Sequence, residues 1–365
     1  MLKENLLSKI FSLIITIIMA FIFYQMDFRS FYIAGKAISL GLDPYLNNEL
    51  LGLIDSCELR SVSRFIYPPL SAFIFYPLSI LNFQFAKIIW SLLILFSFYK
   101  ILDIFKFKKP FLIFLTFPVL FALERGQIDL IICLLIITSF KSKNFYVSLL
   151  FLFLATVLKL FPVLLLPLFL FKWRNLFTKK KFLFIGFLSL CALFLPSLYL
   201  NLNYLKFFFT RKLLDTFVQQ SLDCSIIENK IFLINEGGFI FNNVFIHGQL
   251  NPLVYFKYPF TLGLIVLIII LSIDLYKKIK FQKSKSIFAL LLFYLPIIQL
   301  LNDKVWIMTL VYFIPFFLFH WSRISKIEKI FFLGLMFTPP IPYLQLLIFP
   351  FLICLTIKIY FTRND

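Results

Sequence analysis

Long apolar runs broken by short basic clusters set the pattern of this chain. The runs fall at about 10–25, 84–102, 110–123, 128–140, 145–158, 160–171 and 182–200. They resume at about 256–276, 286–301, 305–320, 330–338 and 342–357. Each predicts a helix that is apolar all round, so little 3.6-residue periodicity is left to read. Several runs are shorter than the ~20 residues that cross a full hydrocarbon core. Short facing helices are tolerated where a water-filled vestibule cuts into the membrane. Two longer polar stretches interrupt the runs, 27–83 and 201–255. The first ends in the Pro-punctuated "YPPLSAFIFYPLSI", residues 67–80, which reads as an interfacial or re-entrant helix or as a further span.

Composition turns this pattern into a class. Of 365 residues 61% are hydrophobic, mean hydropathy is +0.96 and 15% are charged, which excludes an ordinary soluble domain. The expected fold is an all-α integral membrane protein, a single polytopic domain over 1–365 with about 10–13 transmembrane helices. The net charge of +19 raises the question of nucleic acid. The bases, however, sit between apolar runs: Lys3 and Lys9; Lys106, Lys108 and Lys109; Lys141 and Lys143; Lys172, Arg174 and Lys179–Lys181. Later clusters are Lys277–Lys285, then Arg323, Lys326 and Lys329, then Lys358 and Arg363. Placing all of them in the cytoplasm is self-consistent, so the partner is the lipid bilayer and not nucleic acid. Both termini are then cytoplasmic and 27–83 and 201–255 are outer loops. The expected location is a bacterial plasma (inner) membrane. The N-terminal run carries no small-residue cleavage site and reads as an uncleaved first span.

Candidate chemistry lies on the outer side. Asp27 follows the first span directly, at a depth where ionisable groups are costly and tend to be functional, although loop acids are commonly just solvated. "ALERGQIDL" brings Glu124, Arg125, Gln127 and Asp129 together at a hairpin tip, with Gly126 allowing the turn. Lys159 is a lone cation in "VLKLFPVLLLP", either a snorkelling lysine or a phosphate ligand. Gln219, Gln220 and Ser221 in the second loop suit sugar hydroxyls and also suit any loop. A carboxylate can act as general base on an acceptor hydroxyl, and cations can stabilise a departing phosphate. No GxxxxGKS or Rossmann glycine pattern offers a nucleotide cradle. Two histidines, His247 and His320, are too few for a histidine-based metal site, and no metal is expected. Cys57 and Cys224 fall in the two outer loops and could pair.

The order of these motifs resembles glycosyltransferase family 87, polyprenyl-phosphate-mannose-type transferases with the GT-C membrane fold. The matching residues are Asp27 with Gly41, Asp43, Pro44 and Tyr45; then Tyr67, Pro68, Pro69, Pro77 and Leu78. They continue as Gly126, Gln127 and Asp129, as Lys159 and Pro162, and as Gln219, Gln220, Ser221 and Leu222. Asp129 and Gln220 stand where the family has Asn. The late "NDKVWIMT" keeps only Trp306 of a "P-x-S-W-x-H-Y" pattern. The resemblance implies an inverting hexosyl transfer, most often of mannose, from a polyprenyl-phosphate sugar to a glycan or glycolipid acceptor, without a cofactor. It implies Asp27 as base, Asp129 or Glu124 as a second acidic group, and Arg125 and Lys159 on the lipid phosphate. Tyr45, Gln127, Gln220 and Ser221 would hold sugar or acceptor.

Two other classes compete. A transporter or flippase of lipid-linked saccharides would carry ionisable groups at mid-span, whereas charges here gather at span ends. An O-antigen polymerase or ligase would rely on arginines and a histidine in its large outer loop, where only Arg211 and His247 stand.

Overall fold

The computed structural model describes residues 2–23, 25–45, 61–63, 65–174, 217–219, 285–298, 307–338 and 344–363. Apart from connecting turns and one short ribbon these are helical. In chain order the helices are α1 (Leu2–Ile22), α2 (Met26–Ser39), α3 (Pro69–Ser79), α4 (Phe83–Ile104), α5 (Pro110–Phe114) and α6 (Phe117–Arg125). Next come α7 (Asp129–Lys141), α8 (Phe145–Leu158), a 3-10 turn (Phe161–Leu165) and α9 (Leu166–Lys172). After a gap follow α10 (Lys285–Ile298), a second 3-10 turn (Ile307–Phe313), α11 (Ile314–His320), α12 (Lys326–Phe337) and α13 (Leu344–Arg363). The ribbon pairs β1 (Ser61–Ser63) antiparallel with β2 (Phe217–Gln219), so it ties the two polar stretches to each other. It leaves the expected all-α class intact, and strands of three residues leave no alternation to read in the sequence. The runs expected at 182–200 and 256–276, with Cys57 and Cys224, lie outside the described residues.

Prolines explain where helices and runs disagree. A proline lacks the amide proton an interior turn needs but fits a first turn. The run at 110–123 therefore splits, with α6 opening at Phe117–Pro118, and the run at 160–171 begins as a 3-10 turn carrying Pro162. The run at 145–158 has no proline and is one helix with the same bounds, its start capped by the Asn144 side chain on the amides of Tyr146 and Val147.

Among the described residues α4 alone is long and apolar enough to cross a membrane, and Leu6–Ile22 with Met26–Ser39 passes the same test only as a pair bent by 69°. The bend is built. Gln25 takes a left-handed backbone (φ 50°), and its buried amide donates to Ser91 Oγ on α4 (2.7 Å) and to the Leu123 carbonyl on α6 (3.1 Å). Lys87 of α4 donates to the Phe23 carbonyl at 3.1 Å, placing a cation at the carbonyl end of α1.

From the bend α2 runs onto α3. Gly35 makes that contact possible: a Cβ there would stand 2.7 Å from the Phe75 carbonyl carbon. Phe31 stacks on Phe75 (centroids 4.4 Å apart), Trp90 meets Phe75 edge-on (5.1 Å), and Phe28 stacks on Trp90 (5.6 Å). Such pairs add about 0.5–1.5 kcal/mol each beyond area burial, and they lock α2, α3 and α4 into one block.

Candidate active site at the α1–α2 bend

The α6–α7 turn faces that bend. Gly126 ends α6 with φ +67°. The Gly126 amide donates to the Leu123 carbonyl (3.2 Å) and the Gln127 amide to the Ala122 carbonyl (2.8 Å), the two bonds of a Schellman cap. Trp90 Nε1 donates to the Gly126 carbonyl at 2.7 Å, so α4 fixes the turn from outside the helix. The side chains expected together at this hairpin tip are buried: Glu124, Arg125 and Gln127 are nearly so and Asp129 is 0% exposed.

Two polar links leave this turn. Gln127 Nε2 donates to Asp27 Oδ2 at 2.6 Å, across 100 residues of sequence. Asp27 lies in the first turn of α2, where the helix dipole favours a carboxylate, and it is partly exposed. Two residues beyond Gln127, Asp129 Oδ1 accepts from Lys159 Nζ (2.8 Å) and from the Tyr312 hydroxyl (2.6 Å). Lys159 is the residue that ends α8, and Tyr312 comes from the second 3-10 turn, far along the chain.

Tyr67, just ahead of α3, joins the two links. Burial raises its hydroxyl pKa well above 10, and the charges of Asp27 and Asp129 each raise it further, so both carboxylates lie within electrostatic reach of one ring. The Tyr45 hydroxyl donates to the Tyr67 carbonyl, and the Tyr45 amide donates to Asp43 Oδ1 (2.9 Å). Tyr45 thereby anchors Tyr67.

Glu124 is the third acid. Its Oε2 lies 3.8 Å from Arg125 Nε, near enough for attraction and too far for a hydrogen bond. Arg125 Nη1 reaches Met26 Sδ at 3.2 Å, beside Asp27 in sequence. Glu124 Oε2, Gln127 Oε1 and Asp129 Oδ2 are all buried without a hydrogen-bond partner among the described residues. Each unmet buried acceptor costs roughly 1–3 kcal/mol, and three around one turn mark a place where stability is not the only constraint.

A family model described as glycosyltransferase family 87 matches residues 65–275, more than half of the chain. The chain belongs to that family. It is therefore a membrane glycosyltransferase. No curated protein and no solved structure matches it. The family match takes in Glu124, Arg125, Gln127, Asp129 and Lys159, whereas Asp27, Tyr45 and Tyr312 lie beyond its ends.

For a family 87 chain the residues singled out in the sequence divide as follows. Asp27, Glu124, Arg125, Gln127, Asp129 and Lys159 gather around the α6–α7 turn, which bonds to α2 on one side and to the residue after α8 on the other, and Tyr45 reaches this group through Tyr67. Gln220 and Ser221 lie outside the described residues, directly after β2. His320 is buried between the rings of Phe316 (4.7 Å) and Phe319 (5.0 Å) on α11. Tyr312, Trp90 and Gln25 were not legible as site residues. A tyrosine in "TLVYFIPFF" and a tryptophan in "KIIWSLL" read as apolar span residues, and the only signal was a hydrogen-bonding atom inside an otherwise apolar run.

Proposed function

We propose that this family 87 protein transfers a hexose, most often mannose in the family it belongs to, from a polyprenyl-phosphate donor to a glycan or glycolipid acceptor. The transfer takes place on the outer face of a polytopic membrane domain of GT-C type spanning residues 1–365, and requires no cofactor. The bacterial plasma membrane, with both termini cytoplasmic, is the location that the positive-inside pattern supports.

Asp27 is the general base in this reading. It takes the proton of the acceptor hydroxyl; the freed oxygen attacks the anomeric carbon; the bond from that carbon to the phosphate oxygen breaks and polyprenyl phosphate departs. A single displacement inverts the anomeric centre. Arg125 and Lys159 balance the phosphate charge. Glu124 and Asp129 are the flanking acids, and Tyr45, Gln127, Gln220 and Ser221 belong to the sugar and acceptor side.

One observation supports Asp27 over the other acids. Asp27 is partly exposed and oriented by Gln127 at 2.6 Å, whereas Glu124 and Asp129 are buried. A base has to be reachable by the proton it removes.

The test is transfer from radiolabelled polyprenyl-phosphate mannose in membranes carrying wild type or Asp27→Asn at matched protein levels. The substitution keeps shape and a hydrogen bond to Gln127 while removing the base. Loss of a general base costs on the order of 10²–10⁴ in rate. Near-normal transfer by Asp27→Asn would remove Asp27 from the role.

A further inference from the structure

The Lys159–Asp129 pair is lopsided. The Asp129 side chain is 0% exposed while that of Lys159 is 26% exposed. An ammonium has three donors, and Asp129 Oδ1 takes one of them. The same oxygen accepts from Tyr312, which is 0% exposed. Tyr312 in turn packs edge-on against Phe161, two residues after Lys159 (centroids 5.2 Å apart). The contacts close a ring: Lys159 to Asp129, Asp129 to Tyr312, Tyr312 to Phe161, and back along the chain to Lys159. Three separate elements therefore meet behind one ammonium whose outward side is open.

A pair built for stability alone is poorly explained by this arrangement. Buried ion pairs repay desolvation only when their remaining polar atoms are satisfied, and Asp129 Oδ2 has no hydrogen-bond partner among the described residues. The turn that carries Asp129 also carries Gln127, which holds Asp27. The position of the cation is thus tied to that of the base through two residues of rigid chain.

We propose that Asp129 and Tyr312 are positioning residues that hold Lys159 as the ligand for the phosphate of a lipid-linked substrate, with the Asp129 turn setting its place relative to Asp27. This rests on the polyprenyl-phosphate reading above. The ligand class is a phosphate monoester or diester on a lipid, and neutralising Lys159 from behind by a sealed carboxylate lets it bind that anion without leaving an uncompensated charge when the site is empty. Tyr312 keeps the carboxylate fixed so that it does not follow the ammonium outward.

The experiment measures binding of polyprenyl phosphate, polyprenol and inorganic phosphate to the full-length protein in nanodiscs. It compares wild type, Lys159→Met, Asp129→Asn, Tyr312→Phe and the Lys159→Met/Asp129→Asn double variant. Polyprenyl phosphate should bind at least tenfold more weakly to Lys159→Met and Asp129→Asn and severalfold more weakly to Tyr312→Phe. Polyprenol should bind all of them alike. The double variant, which removes both charges and so avoids a stranded one, should match Lys159→Met rather than lose affinity further. Wild-type affinity for polyprenyl phosphate in folded Asp129→Asn and Tyr312→Phe, or additive losses in the double variant, would overturn the positioning role while leaving the donor reading intact. Equal wild-type affinity for polyprenol and polyprenyl phosphate would overturn the donor reading and the inference together. Competition by inorganic phosphate at the same concentrations as the lipid would show a site for free phosphate and overturn the lipid-linked assignment.

Discussion

Glu124 shows how one side chain can limit how well the site holds together. It is buried, its Oε2 lies 3.8 Å from Arg125 Nε, and that oxygen has no hydrogen-bond partner among the described residues. Removing one partner of a buried charge pair is strongly destabilising, because the other charge loses its compensation. Glu124→Gln keeps the size and removes the charge that faces Arg125. The variant should melt several degrees below wild type in detergent. An unchanged melting temperature would mean that Glu124 and Arg125 do not act as a pair. The motif order brought Asp27, Gln127, Asp129 and Lys159 together on paper, and the structure joins them in two hydrogen-bonded pairs. What the order could not convey was which acid is reachable, because burial depends on packing from α4 and on residues as distant as Tyr312.

At the scale of elements, the α6–α7 turn is the part whose geometry most depends on a single residue. A left-handed φ costs a non-glycine residue roughly 1–2 kcal/mol, and a Cβ at Gly126 would stand 2.6 Å from Phe28 Cβ. Overpacking of that kind costs roughly 1–3 kcal/mol more. Gly126→Ala should lower the melting temperature and, by moving Gln127 off Asp27, should reduce transfer more than the stability loss explains. A variant that retains wild-type transfer at 25 °C would show that the turn does not set the Asp27 geometry. The sequence announced this turn, since glycine among close charges has few other uses. It did not announce the bend at Gln25, because a glutamine ending an apolar run looks like any span boundary. Its left-handed backbone is sustained by partners on α4 and α6 that no local pattern contains. The proline-split runs were similarly half legible: their apolar content was plain, and only the backbone rule for proline says where each new helix starts.

Across the whole molecule, helix length accounts for the depth of the site. α7 and α8 form a hairpin: Ser139 and Ser148 exchange hydroxyl-to-carbonyl bonds (2.7 and 2.6 Å) at the closed end, and Asp129 meets Lys159 at the open end. Thirteen and fourteen residues rise about 20 Å, against roughly 30 Å for a hydrocarbon core. If Lys141 and Lys143 sit at the cytoplasmic surface, the orientation with which the basic clusters are consistent, Asp129 and Lys159 end roughly 10 Å below the opposite surface. At that depth an unpaired charge is costly, and there the two charges pair with each other. On that orientation Asp27 and the Lys159 ammonium would be reached from outside through a vestibule. Single cysteines in a cysteine-free background test the geometry. An impermeant maleimide should label Leu40→Cys, at the far end of α2, in intact cells, and should label Lys143→Cys only after permeabilisation. Lys159 replaced by cysteine should react with a small thiosulfonate from outside and be protected by added polyprenyl phosphate, whereas a cysteine in place of the sealed Asp129 should not react. Labelling of Leu40→Cys only after permeabilisation would put α2, and Asp27 with it, on the cytoplasmic side, where a lipid-linked donor of the outer leaflet could not meet it.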